Sequence, residues 1–186
     1  PRDLVLEGGA IETDGEGTLL TTEACLLNPN RNPGLDRTSL EARLKAELGV
    51  SRVLWLANGH LEGDDTDSHV DTLVRFCDTD TLAYVRCDDP DDSHYPALAA
   101  LEAELHALRR ADGMPYRLIA LPWPRPCHDP EDGHRLPATY ANFLIINGAV
   151  LVPSYGDAAD SRALAALGGA FPGRDIIPID CLSVIR

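Results

Sequence analysis

Residues 4–25 read LVLEGGAIETDGEGTLLTTEAC, and this stretch decides the fold. Its pattern predicts a strand over 4–13, a glycine-rich turn at 14–17 and a returning strand over 18–25. A loop rich in Asn and Pro follows, and then Leu40, Leu44 and Leu48 recur at helical spacing before Gly49. This spacing predicts a helix over 39–48, and an apolar run predicts a short strand over 52–56. The unit is therefore β-β-α-β.

The same order of elements returns twice along the chain. The second copy is predicted as strands over 68–77 and 81–86, a helix over 96–110 and a strand over 116–121. The third is predicted as strands over 139–146 and 149–152 around an Asn-Gly turn, a helix over 157–167 and a strand over 175–179. Residues 122–137 are predicted as an irregular loop. The three units cover about 1–60, 61–124 and 125–186, and because such a unit cannot bury its sheet alone, we expect radial stacking in an α/β, propeller-like array.

Composition excludes several classes of protein. The 186 residues are 44% apolar and 25% charged, with a formal net charge of −14, which is typical of a globular protein that repels nucleic acid. No apolar run approaches the roughly 20 residues that cross a bilayer, so no membrane association is expected. The five cysteines are odd in number and form no C-x-x-C pair, which indicates reduced thiols and predicts a cytoplasmic location.

Polar residues interrupt the first predicted strand of each unit. They are Glu7, followed by Gly8-Gly9, then His69 with Asp71, and then Asn142. His69 and Asp71 lie two positions apart and are expected on one face of their strand. Because radial stacking brings the leading strands together, the sequence predicts an acidic pocket that contains a histidine.

Each of these residues also has a plainer interpretation. Glu7 suits a solvated strand end, His69 and Asp71 suit a surface pair or a structural hydrogen bond, and Asn142 suits a residue that satisfies backbone groups near a turn. A zinc site built from His69 and Asp71 would need a further ligand. The candidates are His60, His128 and His134, but no metal-binding motif joins them. We therefore expect no metal and no cofactor.

Several long motifs occur in one order and resemble the agmatine deiminase family. They are EGGAIETDGEGT at 7–18, TTE at 21–23, CLLNPNRNP at 25–33, GDDTDSHVD at 63–71, YANF at 140–143 and VPSYGD at 152–157. The resemblance spans essentially the whole chain. It implies the pentein fold, in which five ββαβ units surround a pseudo-fivefold axis, and about three of the five are present here. Bacterial peptidylarginine deiminases and arginine deiminases share this fold.

The resemblance implies the metal-free hydrolysis of agmatine to N-carbamoylputrescine and ammonia, a step of putrescine and polyamine biosynthesis, through a covalent cysteine thiouronium intermediate. Carried onto this chain, Glu7 and Asp71 would hold the guanidinium group, and His69 would act as general acid and base. Asn142 would order the site, and Asp65 would meet the distal ammonium group of agmatine. The expected partner is this small cationic substrate, and a homodimer is left open.

Two departures from the family pattern affect these expectations. Family members usually have Glu-Thr-Asp-Gly-His where this chain has Asp65-Thr66-Asp67-Ser68-His69. The family nucleophile lies in a glycine-rich segment that Cys181 does not match, so it is expected beyond Arg186, and the chain is expected to be an inactive fragment. A peptidylarginine deiminase-like enzyme and a non-catalytic guanidinium-binding pentein remain alternatives.

Overall fold

Three successive stretches of the chain each form a sheet with two antiparallel strands, a helix and a third strand parallel to the second. The computed structural model describes residues 4–185. The elements of the first stretch are β1 (Ile11–Thr13), β2 (Thr18–Thr22), the short helix α1 (Glu23–Leu26), α2 (Arg37–Leu48) and β3 (Arg52–Leu56). The central strand β2 pairs antiparallel with β1 and parallel with β3.

The other two stretches repeat this topology. The second contains β4 (Val74–Phe76), β5 (Thr81–Val85), α3 (Tyr95–Ala107) and β6 (Arg117–Leu121). A small ladder of β7 (Cys127–His128) and β8 (Arg135–Leu136) comes next. The third stretch contains β9 (Leu144–Ile146), β10 (Ala149–Ser154), α4 (Asp160–Ala170) and β11 (Asp175–Asp180). In both sheets the central strand is antiparallel to the strand before it and parallel to the strand after the helix. The predicted ββαβ repeat is confirmed.

Local sequence explains why the elements form where they do. Every residue of β2 and β5 is buried, as expected for central strands covered on both faces. The helix α2 begins after Asp36, whose side chain accepts a hydrogen bond from the Ser39 amide at 2.8 Å, and it ends at Gly49 with φ 71°. Leu40 and Leu44 of α2 pack on the first sheet, and a larger apolar core joins all three sheets.

The first strand of each unit is shorter than predicted. The sequence predicts strands over 4–13, 68–77 and 139–146, but regular pairing begins only at Ile11, Val74 and Leu144. Single 3₁₀ turns, Gly8–Ala10 and Val70–Thr72, precede the first two strands. The expectation that His69 and Asp71 share one face of a strand is therefore wrong. The physical reason is local, because flexible Gly8-Gly9 and left-handed residues before His69 turn the chain before the ladders start.

Other boundaries differ for similar reasons. The strand predicted over 18–25 ends at Thr22, because the Thr22 hydroxyl accepts the Cys25 amide at 3.3 Å and caps α1. The helix of the third unit, α4, begins at Asp160 rather than at residue 157, since the Asp157 side chain accepts a hydrogen bond from the Ala159 amide in a preceding turn. The segment 122–137, predicted as irregular, contains the β7–β8 ladder.

A partly buried ion pair joins the three units. Glu12 on β1 accepts a hydrogen bond from Arg75 Nε on β4 at 2.7 Å, and it also accepts the Phe76 amide at 3.1 Å. Arg75 in turn donates from Nη1 to the Phe143 carbonyl at 2.7 Å. The beginnings of the leading strands thus meet, as expected from radial stacking. Within residues 4–185, no helix is both long enough and apolar enough to cross a membrane.

Candidate functional site

Glu7 and His69 meet where the first two units touch. Each residue lies immediately before a 3₁₀ turn, and these two turns pack against each other. The Nε2 atom of His69 lies 3.1 Å from Glu7 Oε2. The Glu7 side chain remains 40% exposed, whereas that of His69 is 15% exposed. A carboxylate and an imidazole that are predicted from separate strands therefore form one pair at the surface.

Gly9 allows this close approach. A β-carbon placed on Gly9 would lie 2.5 Å from His69 Nδ1 and 2.9 Å from Asp71 Oδ2. Both distances are shorter than real β-carbon contacts, so any side chain at this position would displace one of the two groups. A β-carbon on the neighbouring Gly8 would have no atom within 4 Å. Gly9 is therefore required by packing, since its backbone covers both His69 and Asp71.

Asp71 holds a carboxylate oxygen without a partner. Its Oδ1 atom is buried and receives no hydrogen bond from any residue that the structure describes. Burial raises the pKa of Asp71 above its ordinary value, although the nearby charges of Arg75 and His69 act in the opposite direction. A buried acceptor without a donor is unfavourable, and the N–H group of a bound cation would satisfy it.

Arg31 completes the site and is not among the residues predicted from the sequence. It donates from Nε to Glu7 Oε2 at 2.7 Å, from Nη1 to Asp67 Oδ2 at 2.6 Å and from Nη2 to the Thr66 carbonyl at 2.8 Å. The Arg31 side chain is only 9% exposed. Its hydrogen bond, with a smaller one from His69, lowers the pKa of Glu7 to about 2, so the carboxylate is ionised near neutral pH. The signal in the sequence that could have identified Arg31 is its position inside the Asn/Pro-rich loop.

The loop that leads into His69 is held in an unusual conformation. Asp67 and Ser68 have φ of 61° and 65°, the left-handed region that favours glycine. Three hydrogen bonds hold this backbone: Ser68 N to Asp64 Oδ2 at 2.8 Å, Thr22 Oγ1 to the Ser68 carbonyl at 2.7 Å, and His69 N to Thr66 Oγ1 at 3.2 Å. Backbone strain of this kind concentrates at functional sites.

Asp65 and Asn142 line a cleft next to the Glu7–His69 pair. The open cleft has a volume of about 400 Å³, and Thr66, Thr139, Tyr155 and Cys181 also line it. No hydrogen bond in residues 4–185 joins Asp65 or Asn142 to Glu7 or His69. The structure thus brings Glu7, His69 and Asp71 together, and it places Asp65 and Asn142 in the neighbouring cleft. Thr66 connects the two places, because it lines the cleft and its hydroxyl accepts a hydrogen bond from the His69 amide.

Glu7, Cys25 and His69 place their ligand atoms within 4.8 Å of one another. Two observations argue against a cation among these three atoms. Arg31 already donates to the same Glu7 oxygen. Burial raises the pKa of the Cys25 thiol to about 12, whereas a metal ligand must be a thiolate. The donor set does not fit a resident metal, and the same high pKa makes Cys25 a poor nucleophile.

The three ββαβ units and the contacts between their leading strands define the pentein fold. The profile of the Porphyromonas-type peptidyl-arginine deiminase family matches residues 1–186. The chain belongs to this family.

Individual relatives agree with this assignment. The agmatine deiminase of Pseudomonas fluorescens is 40% identical over 191 residues, which are 94% of this chain and 52% of that protein. A crystal structure from Porphyromonas gingivalis that carries a provisional arginine deiminase name is 60% identical, with a TM-score of 0.94 over 98% of this chain and 53% of the other. A Cys-to-Ser variant of C. jejuni agmatine deiminase with substrate bound is 42% identical, with a TM-score of 0.91 over 99% and 53%. The chain spans about half the length of the curated relatives it matches.

Proposed function

We propose that the protein containing this chain is a hydrolase that converts agmatine to N-carbamoylputrescine and ammonia. The observation that carries the proposal is the ionised Glu7 carboxylate beside His69 Nε2. Thr66, whose hydroxyl accepts a hydrogen bond from the His69 amide, lines the neighbouring open cleft. Glu7 contacts Arg31 and His69 through Oε2, and Asp71 Oδ1 has no hydrogen-bond partner within residues 4–185. Two carboxylates placed in this way suit the N–H groups of one guanidinium ion. Relatives named agmatine deiminases support agmatine as the substrate.

The chemistry is a two-step acyl-type substitution at the guanidinium carbon. A cysteine thiolate attacks this carbon, and His69 as imidazolium gives its proton to the departing nitrogen. The carbon-nitrogen bond then breaks, ammonia leaves and a thiouronium remains. Neutral His69 next takes a proton from water, whose oxygen attacks the same carbon. The carbon-sulfur bond breaks and restores the thiolate, the proton that remains on the added oxygen passes to solvent, and the neutral carbamoyl product leaves.

The nucleophile is proposed to lie after Arg186, in the half of the relatives' length that this chain does not span. Burial raises the pKa of both Cys25 and Cys181, the thiols nearest the site and the cleft, so neither is an activated thiolate. Residues 1–186 would then be part of a catalytic domain and inactive alone. Deimination by this chain alone would overturn that part of the proposal. A homodimer and a cytoplasmic location remain predictions.

Asp65 and Asn142 are proposed to serve the substrate's other end. The cleft they line adjoins the Glu7–His69 pair, and the Asp65 carboxylate would attract the distal ammonium of agmatine. Asn142 would order this end of the site. The family name favours a second candidate, a deiminase that acts on peptidyl-arginine.

Ammonia release by the full-length protein tests the proposal and separates the alternatives. We expect release from agmatine and much less from arginine or from a peptide containing arginine. Preference for the peptide would support the second candidate. Agmatine binding in calorimetry with no ammonia release would support a non-catalytic guanidinium-binding protein.

The role of His69 is tested by His69→Ala in the same full-length protein. We expect kcat to fall by about 10²- to 10⁴-fold, because general acid-base catalysis contributes this much. His60→Ala is the matched control, since His60 is an exposed histidine a few residues upstream. Near-normal turnover by His69→Ala would show that His69 is not the acid and base.

A further inference from the structure

We propose that Arg31 is the positioning residue of this site, whose guanidinium fork holds Glu7 and the loop before His69 in one arrangement. The inference rests on the proposed function and deepens it. Arg31 lies in the loop after α1, far along the chain from His69. Its three donors nevertheless reach three different acceptors, Glu7 Oε2, Asp67 Oδ2 and the Thr66 carbonyl.

The fork orients the Glu7 carboxylate. Arg31 Nε and His69 Nε2 both contact Oε2, at 2.7 Å and 3.1 Å, and the Cys25 thiol lies 3.6 Å from the same oxygen. The other oxygen, Oε1, is therefore the one left for a substrate. The Glu7 side chain is 40% exposed and would otherwise sample several rotamers. Substrate binding would then cost the conformational entropy of restricting Glu7 to one of them. Arg31 removes this freedom before binding.

The fork also anchors the strained loop. Asp67 has φ of 61°, and both its carboxylate and the preceding carbonyl accept from Arg31. The Thr66 hydroxyl in turn accepts the amide of His69 at 3.2 Å. Arg31 therefore acts on the imidazole through the loop and on the carboxylate directly. This double contact sets the distance between the two groups that the reaction needs together.

Burial distinguishes Arg31 from ordinary surface arginines. Its side chain is 9% exposed, whereas Arg37, which pairs with Glu23, is 52% exposed. An exposed ion pair of that kind contributes little to the stability of the fold. A buried guanidinium with three acceptors forms charge-assisted hydrogen bonds in fixed geometry, which a lysine ammonium cannot reproduce.

The test compares Arg31→Gln and Arg31→Lys with the control Arg37→Gln in the full-length protein. We expect both Arg31 variants to lose about 10- to 100-fold in kcat/KM for agmatine, the effect of losing a charge-assisted hydrogen bond in a site. Arg37→Gln should stay within about twofold of the parent, since its pair is exposed. Circular dichroism and thermal unfolding establish that each variant is folded. A folded Arg31→Gln protein with the same kcat/KM as Arg37→Gln would overturn the inference.

A second measurement does not depend on activity. Carboxyl ¹³C NMR is expected to show Glu7 ionised in the parent down to about pH 3.5 and titrating above this pH in Arg31→Gln, nearer the ordinary glutamate range. Arg31→Lys should keep a low Glu7 pKa but allow faster hydrogen exchange at the His69 amide, because it keeps the charge and loses the fork. If Glu7 titrates identically in the parent and in Arg31→Gln, the inference fails even where the enzyme is inactive on agmatine. Absence of agmatine deimination in the parent, with the NMR shifts as expected, would overturn the proposed function and leave the positioning role supported.

Discussion

A single missing β-carbon determines how closely the site residues can pack. Gly9 lies against both His69 and Asp71, while its neighbour Gly8 faces open space. From the sequence alone the two glycines of Gly8-Gly9 are equivalent, and either could be the one that permits close approach. Only the position of His69 and Asp71, about 60 residues further along, makes one of them essential to packing.

The pair of glycines provides a matched test at this scale. Gly9→Ala is expected to lower kcat/KM for agmatine by about 10²-fold in the full-length protein, because displacement of a reacting group by about 1 Å costs this much. Gly8→Ala is the control and should have little effect, since no atom lies within 4 Å of the position its methyl group would take. Equal activities of the two variants would contradict the packing argument.

The element that presents His69 is the loop 64–68. Its hydrogen bonds keep Ser68 at φ 65°, in the left-handed region that favours glycine. A left-handed conformation costs a non-glycine residue roughly 1–2 kcal/mol, partly offset by the smaller entropy that serine loses on folding. The loop is therefore stable because its side chains and Arg31 hold it, and not because its sequence favours this conformation.

Replacing Ser68 tests this balance directly. Ser68→Gly is expected to raise the free energy of unfolding by about 0.5–1 kcal/mol, since the loop backbone is kept and the steric cost is removed. Ser68→Ala keeps the β-carbon and should give no such gain. Urea unfolding of the three proteins measures the difference. The strain argument is wrong if Ser68→Gly is no more stable than Ser68→Ala.

At the scale of the whole molecule, Asp92 connects three separate segments. It accepts from Arg135 Nη2 of β8 at 2.7 Å, from Trp123 Nε1 at 3.0 Å and from His94 Nδ1 at 2.8 Å. His94 Nε2 accepts the Glu62 amide at 2.8 Å, which connects this cluster to the chain just before the site loop. Burial alone would raise the pKa of Asp92, but these hydrogen bonds outweigh it and hold the pKa well below its usual range.

The Asp92 cluster predicts a pH dependence of stability. Because the pKa of Asp92 is lower in the folded than in the unfolded state, its contribution is complete above about pH 4 and is lost as the pH falls further. Asp92→Asn is expected to cost about 3 kcal/mol near pH 7, since it leaves the buried charge of Arg135 without its partner. The difference in free energy of unfolding between the parent and Asp92→Asn should become smaller below about pH 4. Urea unfolding between pH 3 and 7 measures this difference, and Asp91→Asn, at an exposed aspartate, is the control. A difference that does not depend on pH would contradict the low pKa assigned to Asp92.

The sequence by itself determined the repeat and much of the site's chemistry. Helical leucine spacing, glycine turns and buried central strands predict the ββαβ order, because these signals act between residues that are near each other in the chain. Glu7, His69 and Asp71 are also predicted from the sequence, as polar residues in otherwise apolar stretches. The predicted strands around them are wrong, since short 3₁₀ turns and left-handed residues interrupt the pattern too locally to show a period.

Only the tertiary structure decided how these residues act together. It showed that Arg31 bridges Glu7 and Asp67, that Gly9 rather than Gly8 is closely packed, and that Asp65 and Asn142 belong to an adjoining cleft. The contacts of Arg31 span 24 and 36 residues, and that of Glu7 with His69 spans 62. Side chains so far apart in the chain leave no mutual spacing in the sequence, because their distance depends on how the units pack and not on any local period.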